Sequence, residues 1–379
     1  MKVVVAIDSF KGSLTSLAAG NAVKEAVLRL DTDSEVVVKP LADGGEGTVE
    51  ALAQGLDAEL IECVVNGPLL RPVTAKYCIL KTTRTAVIEM AAAAGITLIS
   101  AAERNPLETT TYGVGELIKD AINRGCRRFI VGIGGSATND GGVGMLTALG
   151  ARFLDKNGDP IPLGAKGLEF LSRIEAESLH PSLAECSFQI ACDVKNPLCG
   201  ENGCSAVFAP QKGATQQMIK DMDAWLSRYA ALAASLSSKA DANCAGAGAA
   251  GGLGFAFLAF TNAVLKSGID IVLEETGLET DIREADLVVT GEGRLDAQTV
   301  MGKAPIGVAK LAKKHGKKVV AFSGCVTDTA EVCNENGIDA FFPILREVVP
   351  LETALRTDYA AKNLTAAAYQ VFRLLLDKR

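Results

Sequence analysis

Short apolar runs alternating with helix-patterned stretches constrain this chain more than any other feature. "VVVAI" (residues 3–7) is apolar at every position, without the polar alternation of a half-exposed strand. A strand of that kind is covered on both faces, as in parallel sheet. After it, Leu14, Leu17, Ala18, Val23, Ala26, Val27 and Leu30 recur at helical spacing, with Ser13 the expected N-cap. The same order returns at "RFIVGI" (128–133), "DLVVTGEG" (286–293) and "KKVVAFSG" (317–324). This alternation predicts an α/β fold with a Rossmann-like, doubly wound parallel sheet. Ligands of such sheets collect at the carboxyl ends of the strands, and all four runs end there in polar, mostly glycine-containing loops.

The middle of the chain follows a different grammar. "PVTAKYCIL" and "TAVIEMAAAAG" read as neighbouring strands, and "VVNGPLLRPVTA" carries turn chemistry before the first of them. Residues 155–185 are loop-rich, with "DKNGDPIPLGAKG" an evident turn cluster. Breaks are therefore expected near Asn66 and Gly268. Residues 1–65 together with 268–379 would form one discontinuous Rossmann-like domain, interrupted by a second, mixed α/β domain of residues 66–267.

Composition narrows the class of function. The 379 residues carry a net charge of −7, one Trp and five Tyr, which offers neither the basic footprint nor the stacking platforms of a nucleic-acid binder. No apolar run reaches the roughly 20 residues needed to cross a bilayer, and "MKVVVAIDSF" lacks a signal-peptide pattern. Ten cysteines lie scattered without paired zinc-type spacing. A reduced, soluble, cytoplasmic protein is the expectation.

Three glycine-rich loops stand out: "ADGGEGT" (42–48), "GIGGSATNDGG" (132–142) and "GAGAAGGLG" (246–254). Glycine lets successive backbone N–H groups form an anion-binding nest, and it lets a ligand approach the main chain closely. None of the three is a Walker A loop. The nearest stretch, "AQTVMGKAP", has Ala297 where the first glycine belongs and Ala304 where Ser or Thr should hold magnesium. The 246–254 segment loosely matches GxGxxG, but no strand precedes it, which disfavours a nicotinamide dehydrogenase.

Charged loops follow three of the strands. "DSFKGS" brings Asp8 and Lys11, "ACDVKNPL" brings Asp193 and Lys195, and "TGEGRLDAQT" brings Glu292, Arg294 and Asp296. Cations that clamp phosphoryl oxygens and carboxylates that hold magnesium or accept a hydroxyl proton suit phosphoryl transfer. Only His180 and His315 are available for histidine chemistry, in "SLHPS" and "KKHGKK", and no GxSxG elbow occurs. A non-enzymatic sugar-acid sensor would also need glycine loops and a cleft, but it has no use for the acidic cluster.

The motifs "DSFKGSLTS", "ADGGEGT", "GIGGSATNDGG", "ACDVKNPLCGENG", "FAPQKGA", "GAGAAGGLG" and "TGEGRLDAQTVMGKAPIGVA", in this order from residue 8 to about 309, together resemble the class I glycerate kinases. That bacterial family acts in glyoxylate, glucarate and galactarate breakdown. The resemblance implies ATP- and Mg2+-dependent phosphorylation of D-glycerate by a cytoplasmic enzyme of two α/β domains, with its site in the cleft between them. Its bacterial members mostly make 2-phosphoglycerate, though the family has also carried the 3-phosphoglycerate label. D-glycerate and ATP would be its small-molecule partners, with no nucleic acid or membrane, and a homodimer stays open. Lys11 and Arg294 would neutralise the transferred phosphoryl group or grip the glycerate carboxylate, and Asp193 would accept the hydroxyl proton. Asp43, Asp140 or Asp296 would hold magnesium, while Ser9, Asp43 and Glu292 would contact substrate. Nucleotide phosphates would rest on Gly134, Gly135, Ser136 and Asn139, and on Gly248, Gly251 and Gly252.

Overall fold

The computed structural model describes residues 1–42 and 47–376. The chain divides into two compact units, one of Met1–Asp43, Glu50–Leu56 and Ile269–Arg379, the other of Gly44–Val49 and Asp57–Gly268.

The first unit is built on a five-stranded, all-parallel sheet. Across it lie Ala340–Pro343, Lys318–Val326, Leu287–Leu295, Lys2–Val5 and Glu35–Val38. Val3, Val4 and Val5 each pair on both sides, with Val36 to Val38 and with Leu287 to Val289, and all three are completely buried. On one face, helices Ser16–Leu30 and Thr357–Leu375 press Val23, Val27, Leu364 and Phe372 onto Val3, Val5 and Phe322. Each such side chain contributes about 1.5–3 kcal/mol by leaving water. The first helix is capped by Thr15, whose hydroxyl accepts the Ala18 N–H at 3.2 Å, and not by Ser13. Ser13 is held instead in the tight turn where Phe10 and Leu14 pair, its N–H donating to the Phe10 carbonyl at 2.7 Å.

From Lys2–Val5 the chain winds one way to Glu35–Val38. From Leu287–Leu295 it winds the other way, through Lys318–Val326 to Ala340–Pro343. The reversal falls between Lys2–Val5 and Leu287–Leu295. At such a switch point the following loops diverge and open a crevice at the carboxyl ends.

The second unit carries a mixed six-stranded sheet in the order Ala263–Lys266, Ser187–Ala191, Arg128–Gly132, Thr85–Glu89, Pro72–Leu80, Ala58–Asn66. The first four are parallel and the last two antiparallel. Ala58–Asn66 pairs along its whole length with Pro72–Leu80, so this strand belongs to the second unit and not with the first 65 residues as expected. The "NGPLLR" turn closes a hairpin, and that local pairing outweighs continuity with the preceding chain. Phe129 and Phe188 stack at 4.7 Å in the core, with the Phe257 ring 5.6 Å from that of Phe188. Across the carboxyl rim, Lys266 pairs with Ala191, Ala191 with Gly132, and Gly132 with Glu89. All ten cysteines are free thiols. Among the described residues no helix is long and apolar enough to cross a membrane.

Candidate active site

In the first unit the charged loops occupy the switch point. The chain leaves Lys2–Val5 through Ile7, whose carbonyl accepts from Ser16 Oγ at 2.7 Å. That same hydroxyl accepts the Leu41 N–H at 2.8 Å and ties two strand-end loops together. Asp8 is buried and accepts the Ser9 N–H at 2.7 Å, whereas Ser9 is half-buried and Lys11 exposed. The end of the neighbouring strand passes very close: a Cβ on Gly293 would sit 3.5 Å from the Lys11 backbone nitrogen. Glu292 is buried, accepts from Thr299 Oγ1 at 2.6 Å, and has Lys303 Nζ at 3.8 Å. Arg294 is exposed, with Nε 3.2 Å from an Asp296 carboxylate oxygen. The other Asp296 oxygen accepts the Gln298 N–H at 2.8 Å. Lys11, Ser9, Glu292, Arg294 and Asp296 therefore share one rim. Asp43 lies outside the described residues.

In the second unit the loop after Arg128–Gly132 divides into two parts of opposite character. Gly134 and Gly135 are exposed, and a Cβ at Gly134 would meet nothing within 4 Å. From Ser136 onward the chain turns inward. Ser136 is only 9% exposed, and Thr138, Asn139 and Asp140 are fully buried. Asn139 was expected at the nucleotide, but its Nδ2 donates inward to Ser205 Oγ at 2.9 Å and to Met222 Sδ at 3.5 Å.

Asp140 was expected to hold magnesium, and the structure assigns it a different task. One oxygen accepts from Thr111 N (2.8 Å), Thr111 Oγ1 (2.9 Å), Thr110 Oγ1 (3.2 Å) and Gly144 N (3.3 Å), and the other from Gly142 N (3.1 Å). Burial raises its pKa above the usual carboxylate range, opposed by the donors on Thr111, Gly142 and Gly144. The carboxylate is a fully buried internal acceptor of five donors at the turn into helix Val143–Ala148.

The glycines of 246–254 are corrected likewise. Gly248, Gly251 and Gly252 are buried against protein backbone. A Cβ would lie 2.2 Å from the Pro197 carbonyl oxygen at Gly248, 2.1 Å from that of Thr138 at Gly251, and 2.8 Å from the Gly141 Cα at Gly252. Gly141 N also donates to the Gly251 carbonyl at 2.9 Å. The close approach that demands glycine comes from the 138–142 loop at Gly251 and Gly252, and from Pro197 at Gly248.

Lys212 is the group that reading for charged loops missed. It is 2% exposed, and its Nζ donates to Ser136 Oγ at 2.7 Å and to the Thr138 carbonyl at 2.6 Å. It therefore clamps the buried half of the loop that displays Gly134 and Gly135. Burial lowers its pKa to about 8, with Cys204 and Asp140 opposing.

Asp193 is exposed in the loop after Ser187–Ala191 and accepts the Gly268 N–H at 3.3 Å. Because Ala191 is in register with Gly132, Asp193 and Gly134 each stand two residues beyond a direct pair. Adjacent strands run roughly 4.8 Å apart, so the loops that carry Asp193 and Gly134 are neighbours on this rim. Among the described residues, no group of three or more His, Cys, Asp and Glu gathers into a metal cage. A magnesium ion carried on phosphates does not need one, since it uses one or two carboxylates and keeps its other ligands from substrate and water.

The glycerate kinase family model matches residues 3–376. The chain is 47% identical to a glycerate kinase of Haemophilus influenzae over 378 residues, covering 100% of both. It is 45% identical to the glycerate 2-kinase of Escherichia coli over 371 residues, covering 97% of each. The crystal structure of a candidate glycerate kinase 2 from Salmonella typhimurium LT2 superposes with a TM-score of 0.92 at 45% identity, covering 99% of this chain and 98% of that one.

Proposed function

The chain belongs to the glycerate kinase family, and on that premise we propose that it moves the γ-phosphoryl group of ATP onto the 2-hydroxyl of D-glycerate. The register pair Gly132–Ala191 supports this reading, because the exposed Gly134 and the exposed Asp193 each stand two residues beyond it, in the loops of adjacent strands. The amides donate to phosphate oxygens as charge builds on them, and Asp193 takes the proton from the attacking hydroxyl. The hydroxyl oxygen bonds to phosphorus as the bond to the β-phosphate oxygen breaks, and ADP leaves. Lys11 and Arg294 bring two exposed cations, which suit the glycerate carboxylate and the transferred group.

Phosphoryl transfer asks the protein mainly for positioning and charge neutralisation, so this sparse equipment suffices. A magnesium ion on the phosphates would neutralise part of their charge. Asp296 fits as its protein ligand, since it is half-buried just past the end of strand Leu287–Leu295, in which Glu292 lies. The name of the Escherichia coli relative favours the 2-position. Phosphorus NMR of the product from ATP and D-glycerate tests the assignment. A single doublet coupled to the C2 proton is expected, and coupling to the C3 methylene protons instead would move the reaction to the 3-hydroxyl.

A further inference from the structure

Beside the exposed glycines lies a cavity of about 530 Å3, formed wholly within the second unit. That volume falls in the roughly 300–1,000 Å3 range of small-molecule sites. We propose that it holds the purine nucleoside end of the phosphoryl donor, with the base against the apolar wall and the phosphates over Gly134 and Gly135. The inference rests on the reading that the chain uses ATP.

The lining of the cavity combines two chemistries. One is bare glycine main chain at the carboxyl end of Arg128–Gly132. The other is a wall of Ala91, Ala92, Ile96 and Leu98, small or flat enough to receive an aromatic plane, and Leu98 is exposed. Glu89 also lines it; this residue ends its strand in register with Gly132, and its Oε1 accepts the Val49 N–H at 2.9 Å. A ligand with an anionic part for the glycine amides and a flat, largely apolar part for the alanine-rich wall matches this lining.

Wall and loop are also fastened to each other. Ile96 N donates to the Gly135 carbonyl at 2.8 Å, Ala137 N donates to that of Ala94 at 2.9 Å, and Gly95 pairs with Ser136. A nucleotide held by the wall is therefore registered against the amides that would receive its phosphates. Through Ser136, Lys212 anchors the same assembly from behind.

The test uses the full chain with Ala92→Trp, which fills the cavity, and Leu98→Glu, which sits at an exposed position the fold tolerates. The KM for ATP should rise about tenfold or more in each, the size expected from spoiling one apolar contact, while the KM for D-glycerate moves less than about twofold. Photolabelling of the wild type with 8-azido-ATP, competed by ATP, should mark residues 74–76 or 89–98. An ATP KM within about twofold of wild type in both folded variants, or a label elsewhere, overturns the pocket while leaving the reaction standing. A wild type that makes no phosphoglycerate overturns the reaction, and the pocket with it.

Discussion

Replacing Lys212 by Met should erase a pH dependence of stability that belongs to one buried ammonium. The side chain is 2% exposed, and burial brings its pKa from 10.5 to about 8. In the unfolded chain the amine keeps its proton up to about pH 10.4. Between about pH 8 and that value the unfolded state binds more protons than the folded one, so stability rises with pH across the window. The gap between 10.5 and about 8 is worth about 3 kcal/mol, at about 1.4 kcal/mol per pH unit. Methionine keeps the apolar stem and cannot be charged. Losing the bonds to Ser136 and Thr138 adds an offset of about 1–3 kcal/mol that is nearly constant with pH.

Urea unfolding followed by Trp225, the single tryptophan, lying in helix Gln216–Ala234, reads the second unit directly. Subtracting variant from wild type at each pH cancels the other amines and thiols. Cys204, the thiol nearest Lys212 in charge, is pushed by burial to about 12 and titrates above the window. Wild-type stability should gain about 3 kcal/mol on the variant from about pH 7.5 to 10.5. A flat difference would refute the clamp, because an ammonium reached by water carries no such cost.

Asp140→Ala strands five donors in the interior and should cost about 3 kcal/mol or more of second-unit stability by the same urea assay. Gly251→Ala puts a methyl group 2.1 Å from the Thr138 carbonyl at a backbone φ of +66°. It should cost about 3 kcal/mol, visible as a lowered Tm. Arg294→Ala removes an exposed side chain, so stability should stay within about 0.5 kcal/mol while kcat/KM for D-glycerate falls about 100-fold.

The sequence exposes what lies on strand ends, because an apolar run that stops at a polar loop marks the place of function whatever the rest of the fold does. The strand-end positions of Lys11, Arg294 and Asp193 are legible on those grounds, but their roles are not. The glycines were legible only as a demand for close approach. Nothing in "GAGAAGGLG" tells a ligand's approach from that of the protein's own 138–142 loop, and at Gly251 and Gly252 the partner is Thr138 and Gly141. Asp140 misleads for a related reason. Its partners Thr110 and Thr111 stand about thirty residues upstream in "ETTTYG", where no periodicity links them to it. Lys212, in "FAPQKGA", has the company of a surface turn, and only tertiary packing reveals it as buried.

The most direct measurement of the account is the single-turnover rate of phosphoryl transfer from ATP to D-glycerate by Asp193→Asn beside wild type. Loss of the proton acceptor should slow that step by about 100-fold or more, with ATP affinity near normal. An unchanged transfer rate would contradict the assignment of the hydroxyl proton to the rim beside Gly134.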